Sequence, residues 1–260
     1  MKTLTKDKTP AMSVVRFAPW VGAQYATGGF RGLRVLVVSE SHYGDSRYER
    51  PDVTPELIKA LALGLVHKQA QGKFDRHPHY AKIFAALNNR STAGLFDRDQ
   101  RSNFWEKVAY FNFIQQFLPT SRKDPPAEAW ARGRPAFVEV MQVLQPELVL
   151  CFSLRNGARV RALTNGVPVA VVNHPSARFS YSRANPVIAK GFEAALSRAA
   201  AGQAARFVET LTFFNWQAAT RSAQPACHKM PEEFKQMRLA LWANQMAEID
   251  RFATLTLART

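Results

Sequence analysis

Four short apolar runs, separated by stretches of helical periodicity, limit the folds open to this chain. Leu33 to Ser39 carries four consecutive Val and Leu residues. Val108 to Gln116 is aromatic-rich with one embedded amide, Asn112. Pro146 to Phe152 and Val167 to Val172 complete the set. Runs of this length without strict polar alternation suit strands covered on both faces. Between them, residues 54 to 71 open on Thr54-Pro55-Glu56 and place Leu57, Ile58, Leu61 and Leu65 at helical spacing. His79 to Asn88, Ala127 to Leu144 and Pro186 to Ala199 read as further helices, with Trp130, Phe137, Val138, Met141 and Leu144 forming one inward stripe. Strands alternating with helices imply right-handed crossovers. The prediction is an α/β fold, a three-layer sandwich whose central four-stranded, mostly parallel sheet is flanked by helices. Residues 1–11 read as a flexible basic arm and residues 12–201 as the α/β domain. Residues 202–260 read as a helical extension packed on that domain, with Phe234, Met237, Leu241 and Trp242 on one amphipathic face.

Two of the strand runs end in polar turns. The first leads into Ser39-Glu40-Ser41-His42-Tyr43-Gly44-Asp45, the fourth into Asn173-His174-Pro175-Ser176-Ala177-Arg178. Open parallel sheets bind ligands beyond the carboxyl ends of their strands, so the two turns are expected to face one cleft. No glycine loop follows the first strand, since Gly28-Gly29 precedes it, which argues against a dinucleotide-binding fold.

Charge narrows the partner. The 260 residues hold 35 Lys and Arg against 20 Asp and Glu, a formal net charge of +15. Such a field favours polyanions, with nucleic acid the leading candidate and an anionic membrane surface second; the competing reading is charge that serves solubility alone. No run approaches the roughly 18 apolar residues of a membrane span, and no obligate protein partner is evident. The two cysteines, Cys151 and Cys227, have no CxxC partner, so neither zinc nor an iron–sulfur cluster is expected. His77-Pro78-His79 lacks a third ligand at convincing spacing. Neither metal nor cofactor is implied. Few cysteines and no secretory signal point to a cytoplasmic protein.

The ordered motifs from Leu33 to Arg198 resemble the uracil-DNA glycosylase superfamily. Ser39-Glu40-Ser41-His42-Tyr43 looks like its first motif, normally a Gly, a polar residue, a catalytic acid or amide, then Pro. Tyr110-Phe111-Asn112-Phe113-Ile114-Gln115-Gln116, followed by Leu118-Pro119 and Arg122, looks like the strand whose Asn reads a flipped base. Arg134-Pro135-Ala136-Phe137 and Gln145 to Leu150 are similar to the helix-to-strand passage of the broad-range bacterial members. His174-Pro175-Ser176-Ala177 looks like the second catalytic motif.

The resemblance implies a monofunctional DNA glycosylase, which flips a uracil or modified pyrimidine from DNA and hydrolyses its N-glycosidic bond. That reaction needs a donor near the pyrimidine O2, a role suited to His174, and a positioned water near an electron-poor sugar. Asn112 offers a donor and an acceptor to a pyrimidine edge; a buried amide tying two loops is its structural alternative. The first motif departs from the family at Ser41, where many members place a water-activating Asp or Asn, and Pro is missing at position 42. Glu40, Asp45, His42, or Ser41 with a main-chain carbonyl are the available substitutes, with Asp45 and His42 acting jointly preferred. Tyr43 stands where the strict uracil enzymes wall off the pyrimidine C5 position. Phe111 or Phe113, Tyr43 and Phe104 are candidates to stack on the base, although strand alternation points both phenylalanines away from Asn112.

DNA contacts are expected from Arg122 and Lys123, Ser153 and Arg155, Ser176, Arg178 and Arg183, with Phe179 as a wedge in the base stack. The roughly 70 residues between Ser41 and Asn112 suggest an enlarged pocket. The added length can equally form a lid, or a structural helical pair that covers a sheet edge; an enlarged pocket would suit bulky modified bases of phage DNA, removed as a defence. The alternative is a catalytically inactive DNA-binding protein on the same fold.

Overall fold

The structure is a computed structural model that describes residues 12–63, 77–91, 98–120 and 123–200. Among these residues the strands are β1 (Trp20–Val21), β2 (Val35–Ser39), β3 (His42–Tyr43), β4 (Val108–Asn112), β5 (Phe117–Leu118), β6 (Leu148–Cys151) and β7 (Val169–Val171). The helices are α1 (Val53–Leu57), α2 (Pro78–Leu87), α3 (Arg98–Trp105), α4 (Ala127–Leu144), α5 (Leu154–Leu163) and α6 (Tyr181–Ala200). The chain is α/β. Its main sheet has five strands in the order β1-β4-β2-β6-β7, all parallel except β1, which runs antiparallel to β4. The expected count of four is therefore corrected to five. A two-residue strand such as β1 is too short to show a periodicity; Trp20 holds it in place through its indole N–H, which donates to the Trp105 carbonyl at 2.9 Å.

Alternate strand residues serve the two faces, as the pleat requires. Leu36 and Val38 of β2, Ala109 and Phe111 of β4, and Val149 and Cys151 of β6 join Ala129, Phe137 and Val140 of α4 and Val160 of α5 in one apolar core. On the other face α6 closes on β6 and β7. A Cβ added to Gly191 would lie 2.9 Å from Ala170 Cβ and 3.4 Å from a Leu148 methyl, so glycine sets that approach. Cys151 is fully buried and its thiol is pushed up to about 12 by that burial.

Several expected bounds shift for physical reasons. The strand read from Val108 to Gln116 ends at Asn112, because the Gln115 side chain folds back to donate to the Asn112 carbonyl at 2.7 Å. The helix expected over residues 54 to 71 is α1 followed by a wider turn, Ile58–Ala62, closed by Leu63 N–H to the Ile58 carbonyl at 3.0 Å. Its remainder, like the basic arm of residues 1–11 and the extension of residues 202–260, lies outside the described residues. Among the described residues no helix is long and apolar enough to cross a membrane.

Candidate active site

Strand β2 sits at the switch point of the sheet, with β4 on one side and β6 and β7 on the other. Crevices open at the carboxyl ends of strands at such a point. Here a cavity of about 770 Å³ opens there, lined by the ends of all four strands: Glu40 to Tyr43 after β2, Asn112 of β4, Ser153 to Arg155 after β6, and Asn173, His174, Ser176 and Ala177 after β7. The two polar turns thus share one cavity. A small parallel pair, β3 with β5, fixes the first turn to the segment leaving β4, and Gly44 N–H extends it to the Leu118 carbonyl at 3.0 Å.

Glu40 is the buried anion of the site, 3% exposed. Its Oε2 accepts from Ser153 Oγ at 2.8 Å and Arg155 Nε at 3.1 Å, while Oε1 takes Arg155 Nη2 and, at 3.5 Å, the Tyr43 hydroxyl. Ser153 also caps α5, accepting from Asn156 N–H at 3.2 Å, so the helix start and the carboxylate are positioned together. Arg155 reaches outward to the exposed Asp124 at 2.6 Å. Beside Glu40, the buried Ser41 hydroxyl meets no partner at full hydrogen-bond geometry and interacts with the neighbouring Tyr43 hydroxyl. A buried hydroxyl without a full bond in a cavity wall is a place for a ligand or water.

His174 begins a tight turn closed by Ala177 N–H to its carbonyl at 2.8 Å. Ser176 N–H donates to His174 Nδ1 at 3.2 Å, so in the neutral ring the proton resides on Nε2. Burial lowers the pKa of His174, only partly countered by Glu40. The side chain therefore presents a neutral N–H donor. Lys82 of α2 braces this turn through a 2.7 Å bond to the Pro175 carbonyl.

Asn112, 2% exposed, anchors a buried polar chain at the cavity floor. Its Nδ2 donates to the His42 ring, 3.0 Å from Nε2, and its Oδ1 accepts from the Tyr110 hydroxyl at 3.4 Å. His42 Nε2 also meets Thr54 Oγ1 at 2.8 Å. His79 Nε2 lies 3.0 Å from the Tyr110 oxygen, and the His79 ring packs against His174 with centroids 4.8 Å apart. Burial lowers the His42 pKa to about 4 and holds His79 well below the usual imidazole value, so both are neutral near pH 7.

Other expected site residues fall elsewhere. Asp45 is exposed outside the cavity, where it caps the turn Ser46–Tyr48 and pairs with Arg47 at 3.1 Å. Its carboxylate is engaged by Arg47, and the His42 ring is occupied by Asn112 and Thr54. Phe111 and Phe113 are fully buried in the core against Phe137 of α4, on the opposite face from Asn112. Phe104 packs between Phe30 and Phe84. Of the stacking candidates, Tyr43 alone lines the cavity. Phe179, expected as a wedge, stacks on Phe152 and meets Tyr181 edge-on. Lys123, Arg178 and Arg183 are exposed and outside the cavity lining. Arg122 lies outside the described residues.

Tyr110 and Thr54, which backs His42, were missed as site residues, and His79, weighed only as a metal ligand, lines the cavity with Tyr110. Tyr110 was within reach of sequence reasoning, because it precedes Asn112 by two and must share its face. Among the described residues no group of three or more His, Cys, Asp or Glu side chains is placed to hold a metal ion. Compared with known protein families, curated proteins and solved structures, the chain matches none of them, leaving the chemistry of this cavity as the guide to what it does.

Proposed function

We propose that the chain is a monofunctional DNA glycosylase on the three-layer frame of the uracil-DNA glycosylase superfamily, removing uracil or a modified pyrimidine to leave an abasic site. The observation that carries this reading is the neutral His174 N–H donor in the same cavity as the buried Glu40 carboxylate, with Asn112 at the floor. A flipped base enters with its edge toward Asn112, which has one N–H and one oxygen lone pair still unused. As the C1′–N1 bond breaks, the electron pair passes to the base, and His174 Nε2–H stabilises the charge that develops on O2. Glu40 faces the electron-poor sugar and, with the Ser41 hydroxyl, holds the attacking water. The water oxygen bonds to C1′ and its proton leaves through Glu40 to the departing base. Glu40 and Ser41 take over what was expected of Asp45 and His42.

The cavity lies within the roughly 300–1,000 Å³ of sites for drug-sized ligands, more than a bare pyrimidine ring fills, which supports the bulky modified bases of phage DNA as substrates and a defensive role. A second reading, a DNA-binding protein without excision, draws on the Arg155 and Ser153 bonds that already occupy both Glu40 oxygens.

An abasic-site assay separates the two. DNA carrying uracil, 5-hydroxymethyluracil, 5-hydroxymethylcytosine or its glucosylated form is incubated with the protein and cleaved with alkali. Excision of at least one base is expected, falling about 100-fold or more in His174→Ala and in Glu40→Gln with DNA affinity largely kept, as for loss of a preorganised donor. No abasic sites in any of these DNAs would leave only the binding reading.

A further inference from the structure

Residues 13–17 belong to no strand or helix, yet their five consecutive backbone N–H groups are all satisfied, by two side chains. Glu139 of α4 takes the first three: Ser13 N–H at 2.6 Å on Oε1, then Val14 and Val15 N–H at 2.9 and 3.1 Å on Oε2. Gln115 takes the next two on its Oε1, Arg16 at 3.0 Å and Phe17 at 2.8 Å. At its other end Gln115 Nε2 donates to the Asn112 carbonyl at 2.7 Å. A main-chain N–H can only donate and a carbonyl can only accept, so these partners fix which end of the Gln115 amide is which. The segment is a strap, held to the molecule by side chains in place of a ladder.

The inner end of the strap reaches the cavity from behind. Phe17 is fully buried and meets His42 edge-on, with ring centroids 5.6 Å apart, and Phe117 at 5.7 Å. His42 and Phe117 line the cavity, and Phe17 backs both. Arg16 pairs with Glu49, which also accepts the Phe117 N–H at 2.6 Å. Just before Gln115, Phe113 and Ile114 donate their N–H groups to the Ser39 and Glu40 carbonyls at 3.1 and 2.8 Å. Gln115 thus stands where the strap, the end of β4 and the turn carrying Glu40 are joined. We propose that Gln115 is a positioning residue for the cavity, locking the strap onto β4 so that Phe17 props the wall of His42 and Phe117 beside Asn112; its effect on excision rests on the glycosylase reading above. A strap that lets go admits water behind His42 and frees that ring, 3.0 Å from Asn112 Nδ2, to rearrange. Strands β2, β4, β6 and β7 pair with one another without the strap, so its release alters the cavity before it alters the sheet.

His42 reports the strap without any substrate. Burial lowers its pKa to about 4, while His79 and Tyr110 near it are uncharged at pH 7 and Arg16 is paired with Glu49. The test follows ring-labelled histidine by NMR as the pH falls, alongside the abasic-site assay. In the wild type His42 is expected to stay neutral down to about pH 5. In Gln115→Ala and in Phe17→Ala its midpoint is expected to rise by at least about one pH unit as water reaches the ring. Phe17→Leu, which refills most of the space, is expected to stay near the wild type, and the two Phe17 variants cover a Gln115→Ala protein that does not fold. The kcat for whichever base the wild type removes is expected to fall about tenfold or more with the midpoint shift, as for a misplaced site, with affinity for unmodified DNA unchanged. A merely structural role would lower the amount of folded protein and leave the His42 midpoint where it is. An unchanged midpoint in Gln115→Ala and Phe17→Ala, or a shifted midpoint with excision at the wild-type rate, would overturn the inference. A shifted midpoint in a protein whose wild type excises no base would uphold the strap and remove the glycosylase reading.

Discussion

His42 is a neutral imidazole whose folded-state pKa, about 4, lies well below the ordinary 6.5 because burial penalises its charge. The unfolded chain therefore takes up the proton first. Stability from this group is complete above about pH 6.5 and drains away as the pH falls toward 4, by about 3 kcal/mol over that window. Urea unfolding followed between pH 7 and 4 should show the loss, and His42→Gln should flatten part of the slope; burial lowers His79, His77 and His174 in the same sense. The sequence motif marks His42, Ser41 and Glu40 together, and the reading from it favours His42 with Asp45. What ranks them is partners: Thr54 and Asn112 consume His42, Ser153 and Arg155 grip Glu40, and Ser41 meets the Tyr43 hydroxyl short of full geometry. Asp45 is preferred to Glu40 on the sequence alone. Only the turn after Gly44 sends it to solvent.

Elements were legible where their side chains share one repeating environment. Helix α4 spans the residues expected of it, since its inward stripe is long enough to be periodic. Helix α6 starts at Tyr181 rather than Pro186, because a proline in an early turn forfeits one hydrogen bond without ending the helix. β1, β3 and β5 have two residues each and no pattern of their own; pairing with neighbours creates them. Helix α5 depends on such a neighbour relation too. A Cβ on Gly157 would stand 2.5 Å from Val171 Cγ1 of β7, so the helix that carries Ser153 and Arg155 to the cavity lies against the sheet only because that position is bare. Gly157→Ala should destabilise the protein by about 1 kcal/mol net, overpacking outweighing the helix propensity gained. Thermal unfolding would record it, and a rise in melting temperature would contradict the close-packing account.

At the scale of the whole molecule, the net charge of +15 is a property of composition that no single contact explains. If the partner is DNA, binding should be steeply salt-dependent: with about six phosphates engaged, affinity drops roughly a thousandfold between about 50 and 200 mM salt. Fluorescence anisotropy across that range measures the slope, and a flat response would remove nucleic acid as the partner. The sheet has a different chemistry. Cys151, the last residue of β6, is shielded from solvent and its thiol is pushed up to about 12, so in the native fold it forms almost no thiolate. The nucleophile that oxidants and alkylating agents attack is the thiolate. Its reactivity is thus locked to the integrity of β6 and its neighbours: the sulfur stays chemically silent while the strands hold, and becomes an indicator of the moment they part.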